Sequence, residues 1–407
     1  MKQVEWKSPS IIVGQVATAK FYYPRPEVVK NILEKLDKGN SLLLAAPRRV
    51  GKTSIMQYIQ THPANYKMAF ADIEGINSAQ RFYATIYRML LECLSLSKTD
   101  RIKEWLRKYC NIKSISEIDI KGKIKIETLP LDFLKEIDHL VTEINRSETE
   151  NIALLIDELP DMLFKMHKNE KTEEARSILK NLRSWRQDPK FRNIRFVFAG
   201  SVGIHHVVNI IEQRNSDLND LVSIPCKPLS KKAVSEYIEW ATKEATVKYN
   251  DEMKKHLAEK IRYYVPFFIN LMLDEIDRSA RKTGYSTIGK QQINKAFNAI
   301  LSNNDYFDDW RKRLSDYLPP ADFKFVNELL THIAHKKEIT IQEIYDKALA
   351  HNKTENYMDF VDDLEKDGYI VQIAQKYMFI SPLLEELWKR KNPIYKDKET
   401  NGIQYNK

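Results

Sequence analysis

The 407-residue chain has few cysteines and no long apolar run, and each absence argues against a class of protein. Its three cysteines, Cys93, Cys110 and Cys226, form no CxxC pair, so we expect reduced thiols and no zinc site. No apolar stretch approaches the roughly 20 residues that span a bilayer, and the N-terminal residues lack the apolar core of a signal peptide. The sequence therefore predicts a cytoplasmic globular protein with no membrane partner.

The formal charge of +9 is unevenly distributed along the chain. Residues 318–391 contain ten Lys and Arg against thirteen Asp and Glu, which gives −3 and leaves +12 for the remainder. A basic protein often has a nucleic-acid partner. Here the excess of positive charge lies outside the C-terminal region, so nucleic acid could bind the basic N-terminal part, for example near Lys98 to Lys113 or at the predicted Lys121–Lys125 hairpin.

The stretch Ser41 to Met56, SLLLAAPRRVGKTSIM, predicts a phosphate-binding loop. An apolar run is followed by a loop and a predicted helix from Lys52, and residues 46–53 fit G-x-x-x-x-G-K-[ST] apart from an alanine at the first position. In such loops backbone N–H groups surround the β-phosphate, the lysine reaches the β- and γ-phosphates, and the threonine hydroxyl ligates Mg²⁺. The predicted nucleotide contacts are Ala46, Pro47, Arg48, Arg49, Val50, Gly51, Lys52, Thr53 and Ser54. The alternative is a chance strand-turn-helix with a basic turn.

A second motif follows about a hundred residues later. Ile152 to Glu158, IALLIDE, is an apolar strand that ends in two carboxylates, which is the Walker B pattern. Asp157 is predicted to hold Mg²⁺, and Glu158 is predicted to polarise the water that attacks the γ-phosphate. The alternative is a strand that runs into an acidic loop.

Two further predictions concern the segment after this strand. The strand Asn193 to Ala199 ends before Ser201, which in P-loop ATPases is the position that senses the γ-phosphate; the residue could instead cap a helix. Arg183 and Arg186 lie on a predicted helix, Thr172 to Gln187. They could donate an arginine to a neighbouring protomer's site, or they could form ion pairs within their own chain.

The order of elements predicts an α/β fold: a P-loop NTPase parallel sheet covered on both faces, a helical lid and a C-terminal winged helix-turn-helix. The predicted parts are an ATPase domain at 1–229 with a β-hairpin insertion at 118–126, a lid at 230–302, a linker at 303–320, a winged helix at 321–391 and a flexible tail at 392–407. The third helix of the winged helix carries a row of carboxylates, Asp359, Asp362, Asp363 and Glu365, against Lys366. Carboxylates repel DNA phosphates, so this pattern favours a protein partner.

Together these segments resemble the archaeal-type ATPases, a family in the STAND-like branch of the AAA+ P-loop NTPases. The resemblance is carried by APRRVGKTS, LLIDELPDM, FVFAGSVGI and SPLLEELWKR, and it covers about Phe21 to Lys391. It implies ATP and Mg²⁺ as cofactors, Lys52, Thr53 and Asp157 as phosphate and metal ligands, Glu158 as catalytic base, and Ser201 as sensor. It also implies that Arg25, which precedes the loop, lies near the nucleotide base. Ala46 departs from the family pattern, as does Tyr264-Val265-Pro266 in place of Gly-x-Pro.

Three functions are compatible with these motifs. The first is a regulatory ATPase whose nucleotide state positions the winged helix for a protein partner or for self-association. The second is a DNA-acting AAA+ ATPase of the replication or transposition type. The third, a nucleotide-binding module without turnover, is disfavoured by Glu158. The charge of the winged helix favours the first.

Overall fold

The computed structural model describes residues 5–95, 132–146, 151–200, 204–212, 218–303, 307–396 and 403–405. The predicted hairpin at 118–126 and the predicted sensor Ser201 lie outside these ranges. Contacts between residues divide the chain into two units. We call Pro24–Ala46 and Lys52–Cys226 the sheet unit, and Met1–Tyr23, Pro47–Gly51 and Lys227–Lys407 the helical unit.

The sheet unit contains a five-stranded parallel sheet in the order β2-β3-β4-β1-β5. All six residues of β3 are buried, as expected for a parallel strand that is covered on both faces. The elements are α1 (Pro26–Asp37), β1 (Leu42–Ala45), α2 (Lys52–Thr61), β2 (Lys67–Asp72), α3 (Ala79–Ser95), α4 (Phe133–Arg146), β3 (Ile152–Asp157), α5 (Leu159–Lys168), α6 (Thr172–Gln187), β4 (Ile194–Gly200), α7 (Ile204–Glu212) and β5 (Val222–Ser223). This arrangement confirms the predicted α/β class.

The helical unit begins with a lid of four helices: α8 (Lys231–Thr242), α9 (Asp251–Ile261), α10 (Pro266–Thr283) and α11 (Lys290–Ser302). The break between α9 and α10 falls where the sequence places Pro266, whose ring is compatible with the first turn of a helix but not with its interior. The N-terminal segment is fixed to this lid, since Trp6 and Ser8 both donate hydrogen bonds to the carboxylate of Asp277. The sequence predicts this segment as part of the ATPase domain at 1–229, whereas contacts between residues group Met1–Tyr23 with the helical unit.

The C-terminal part of the helical unit is a winged helix. Its elements are α13 (Pro320–Lys336), β6 (Ile339–Thr340), α14 (Ile341–Ala350), α15 (Tyr357–Lys366), β7 (Ile370–Ile373), β8 (Lys376–Phe379) and α16 (Pro382–Lys391). The three strands form an antiparallel sheet in the order β6-β8-β7. Thr340 begins α14 with a capping box in which its side chain and that of Glu343 satisfy each other's backbone N–H groups.

Two stretches carry more structure than the predicted linker and flexible tail. The stretch 303–320 contains helix α12 (Asp308–Tyr317), whose Trp310 is buried between the rings of Phe268 and Tyr369. The hydroxyl of Tyr369 also donates to the carbonyl oxygen of Trp310 at 2.7 Å. In the tail, Ile394–Lys396 (β9) pairs antiparallel with Ile403–Tyr405 (β10). Among the described residues, no helix is long and apolar enough to cross a membrane.

A half-buried ion-pair cluster in the winged helix predicts a pH-dependent stability. Glu328 on α13 accepts hydrogen bonds from Lys347 at 2.8 Å and His351 at 2.7 Å. Burial alone would raise the pKa of Glu328, but these two partners outweigh it and hold the pKa below its usual 4.5. The stabilisation is therefore present above pH 4.5 and is lost as the pH falls through the folded-state value.

Glu328→Gln should lower the free energy of unfolding by about 1 kcal/mol at pH 7 in urea denaturation. The exposed Glu355→Gln is the control, and equal stability of both variants would contradict the assignment.

Candidate nucleotide-binding site

The pairing of the parallel strands brings the two sequence motifs to one edge of the sheet. β4 pairs with both β1 and β3, with Ala45 opposite Gly200 and Ile156 opposite Phe198. The loop after β1 and the carboxylates after β3 therefore leave the sheet at the same, carboxyl end. In parallel α/β sheets this edge is where ligands bind.

Lys52 and Thr53 begin α2 directly after the loop, and their side chains already have partners there. The Lys52 ammonium is buried and donates to the carbonyl oxygen of Ala46 at 2.8 Å. The Thr53 hydroxyl donates to Oδ2 of Asp157 at 2.5 Å, which joins the two motifs across 104 residues of sequence. A hydroxyl and a carboxylate in contact are the two protein ligands that Mg²⁺ takes in P-loop sites, so these residues fit that ion.

The loop backbone explains why Ala46 is tolerated. Ala46 is not among the residues with positive φ, so it needs none of glycine's conformational freedom. Gly51 has φ +101°, where glycine is favoured, and Arg49 has φ +66°. The side chain of Arg49 lies over the ring of Phe267, 4.8 Å from its centroid, and donates to the carbonyl oxygen of Gly14 at 3.2 Å.

The two carboxylates at the end of β3 differ in their surroundings. Asp157 accepts from Thr53 and from the N–H of Glu158, and burial nevertheless raises its pKa. Glu158 has a left-handed backbone, φ +59°, and its Oε2 is buried with no hydrogen-bond partner among the described residues. Burial, and then the neighbouring Asp161, raise the pKa of Glu158 to about 8. Both effects favour the protonated form of the Glu158 carboxyl group.

Lys52 and Arg25 both act electrostatically on the thiol of Cys226. Burial raises the pKa of this thiol, and the positive charges of Lys52 and Arg25 partly offset that effect. Arg25 immediately precedes α1, where the resemblance predicts a residue close to the nucleotide base. Nothing in the sequence signalled this interaction of Cys226.

Arg186 has a partner within its own chain. Its guanidinium makes two hydrogen bonds to Asp220, at 2.7 and 2.8 Å, and also lies over the ring of Phe198. Its side chain is 2% exposed, and Arg183 also acts electrostatically on Asp220. Of the two alternatives for Arg186, the structure shows the ion pair within its own chain, and this pairing occupies the guanidinium that would be donated to another protomer's site.

A contact that the sequence did not signal supports the turn that carries Glu158. A Cβ built on Gly200 would lie 2.3 Å from Cδ of Pro160, so the end of β4 touches the first turn of α5. Pro160 and Gly200 are forty residues apart, and each is unremarkable in its own segment. Glycine at position 200 is needed for this close approach.

Comparisons with known proteins agree with this geometry. Residues 28–210 match the model of a family described as a predicted AAA-ATPase. The Walker-type ATPase paby2304 of Pyrococcus abyssi has a similar structure, with 15% identity, a TM-score of 0.59, and coverage of 92% of this chain and 97% of that one. The Aeropyrum pernix ORC2 protein, solved as ADPNP–ADP complexes, has 13% identity and a TM-score of 0.52, with 93% and 98% covered. A sequence search of curated proteins finds no match.

These structural similarities establish the fold. The five-stranded parallel sheet in its strand order, the helical lid and the C-terminal winged helix make up a fold that this chain shares with these two structures. At identities this low, the relatives' activities do not transfer with the fold.

The contact at Gly200 gives a prediction for the site. Gly200→Ala should destabilise the chain by about 1–3 kcal/mol, because the new methyl group must displace Pro160 and with it the turn that holds Glu158. Gly75→Ala is a matched control, since a Cβ there meets no atom within 4 Å. Urea denaturation of both variants measures the difference, and equal unfolding free energies would contradict the close packing.

Proposed function

We propose that this chain binds ATP with Mg²⁺ and hydrolyses it slowly, or at a rate that a partner stimulates. The observation that carries the proposal is the contact of Thr53 with Asp157, next to a buried Lys52 whose ammonium faces into the loop. A phosphate group that enters the loop would take the place of the Ala46 carbonyl oxygen as the partner of Lys52. The match of residues 28–210 to a predicted AAA-ATPase family supports this reading.

The proposed roles follow from the chemistry of each group. Lys52 neutralises the β- and γ-phosphates, and the loop N–H groups orient them. Thr53 and Asp157 hold Mg²⁺, which neutralises developing charge on the phosphate oxygens when it is bound. Glu158 orients the attacking water, and because burial and Asp161 raise its pKa to about 8, it must ionise before it can accept the proton of that water. Ser201 is proposed as the γ-phosphate sensor and Arg25 as a neighbour of the base.

We further propose that nucleotide state positions the winged helix. Residues 47–51 of the phosphate loop group with the lid and the winged helix in the helical unit. A Cβ on Gly368, in the turn before β7, would lie 2.8 Å from Cβ of Pro47 and 3.1 Å from the hydroxyl of Tyr263. A loop that rearranges around a phosphate must therefore disturb this turn. We also propose that the chain belongs to the STAND-like branch of the AAA+ class, and the resemblance of its sequence motifs to archaeal-type ATPases supports this assignment.

A DNA-acting ATPase is the alternative function. It would use the basic residues 98–113 or the 121–125 hairpin, which lie outside the described residues. The winged helix gives it little support, because residues 341–366 carry seven Asp and Glu against three Lys. ATPase rates measured alone and with duplex DNA, single-stranded DNA or RNA separate the two functions.

The catalytic roles predict two distinct defects. Lys52→Ala should abolish binding of a fluorescent ATP analogue. Glu158→Gln should retain binding and lower the turnover rate by about 100-fold or more, because it removes the base and leaves the Mg²⁺ ligands. Glu170→Gln is the matched control, an exposed glutamate that has a similar left-handed backbone, φ +62°. Wild-type turnover by Glu158→Gln would refute its role as the base.

The contact at Gly368 predicts a change in nucleotide affinity. Gly368→Ala should push Pro47 away from the winged helix, favour the arrangement that nucleotide requires, and tighten ATP binding about fivefold. Gly284→Ala is the control, since its φ of +79° matches the +77° of Gly368 while a Cβ there meets no atom within 4 Å. Backbone strain is thus the same in both variants. Equal ATP affinities, measured by titration calorimetry, would contradict the coupling.

A further inference from the structure

The surface of helix α14 carries a row of exposed apolar side chains. Ile341, Tyr345 and Leu349 are 40%, 41% and 62% exposed, and they are three of the six large apolar side chains exposed among the described residues. Their spacing of four residues places them along one side of the helix. The buried residues of the helix, Ile344 and Ala348, form its contact with the domain core. We call the three exposed residues the α14 stripe.

The stripe continues onto the start of the next helix. The ring of Tyr357, the first residue of α15, meets the ring of Tyr345 edge-on with centroids 5.8 Å apart. In a winged helix the exposed faces of the second and third helices are the surface that DNA readers turn toward the major groove. Here that surface carries leucine, isoleucine and tyrosine side chains.

The charges around the stripe are predominantly negative. Residues 341–366 carry seven Asp and Glu against three Lys, a net −4. The exposed carboxylates on or beside these helices are Glu343, Asp346, Glu355, Asp359 and Asp362. Two of the three lysines are held in ion pairs with α13, Lys347 with Glu328 and Lys353 with Asp322. The surface is therefore an apolar stripe bordered by carboxylates.

We propose that the α14 stripe docks a basic amphipathic helical segment of a partner protein. Apolar side chains of that segment would cover Ile341, Tyr345 and Leu349, and its Lys or Arg residues would face the surrounding carboxylates. Phosphates of DNA would be repelled by the same carboxylates, and so would an identical acidic face on a second copy of this chain. This inference deepens the proposed function by specifying the partner's chemistry, and it does not depend on ATP turnover.

The test uses the full-length chain and a synthetic probe. The probe is a fluorescent 18-residue helical peptide of leucine and lysine, and its matched control replaces each lysine with glutamate. The lysine peptide should bind and the glutamate peptide should not, and added salt should weaken binding. Tyr345→Ser/Leu349→Ser should weaken it at least tenfold, and so should Asp346→Lys/Asp359→Lys. Ile373→Ser should leave it unchanged, because Ile373 is 53% exposed on the same domain but lies on β7.

Three results would overturn the proposal. One is equal peptide affinity for the wild type and the Tyr345→Ser/Leu349→Ser variant. A second is self-association of the wild type in sedimentation that this variant abolishes, which would make a second copy the occupant. A third is duplex-DNA binding that the same substitutions abolish. ATP binding is measured on the same preparations, so its absence would refute the proposed ATPase function while peptide binding still decides the docking surface.

Discussion

The parallel pairing of β1, β3 and β4 is the constraint on which the candidate site depends. It sends the loop after Ala45, the carboxylates after Ile156 and the end of β4 at Gly200 to one edge of the sheet. The hydrogen bond from Thr53 to Asp157 then joins two motifs that are a hundred residues apart. Because β3 is fully buried and β4 is buried at all but one residue, their register is strongly specified, and the positions of these groups are specified with it.

The loop at 47–51 has a second set of contacts, and the proposed link to the winged helix rests on them. Arg49 stacks on Phe267 at the start of α10, and Pro47 lies against the Gly368 turn of the winged helix. That turn is also tied to the lid, since Tyr369 donates to α12 and Trp310 packs on Phe268. Under the proposed function, a change in loop shape would reach the winged helix through these packed rings and backbone, because packed interiors deform little.

The fold was largely predictable because its strands are apolar runs and its helices have a clear apolar period. The winged helix was predicted at 321–391 from its order of elements, and the structure has its helices and antiparallel strands in that region. Helix α12 was missed because its residues are mostly polar, and its buried Trp310 and Leu314 give only one spacing of four residues. The paired strands β9 and β10 lie in a polar segment that predicts a flexible tail.

The residues of the candidate site were predictable only where a short motif of adjacent residues marks them. Lys52, Thr53, Asp157 and Glu158 are recognised by their own neighbours along the chain. The partners of the remaining groups come from distant segments: Asp220 for Arg186 and Pro160 for Gly200. Pairs of this kind depend on tertiary packing, and a single sequence has no local pattern that marks them.

Hydrogen exchange with and without ATP and Mg²⁺ tests most directly the claim that the loop links nucleotide binding to the winged helix. The N–H groups of Gly368 and Tyr369 donate to the carbonyl oxygens of Glu365 and Leu364, so their exchange reports on the turn that touches Pro47. We predict that saturating ATP changes their exchange in the wild type and leaves it unchanged in Lys52→Ala. Unchanged exchange at both amides in a wild-type chain saturated with ATP would contradict the account.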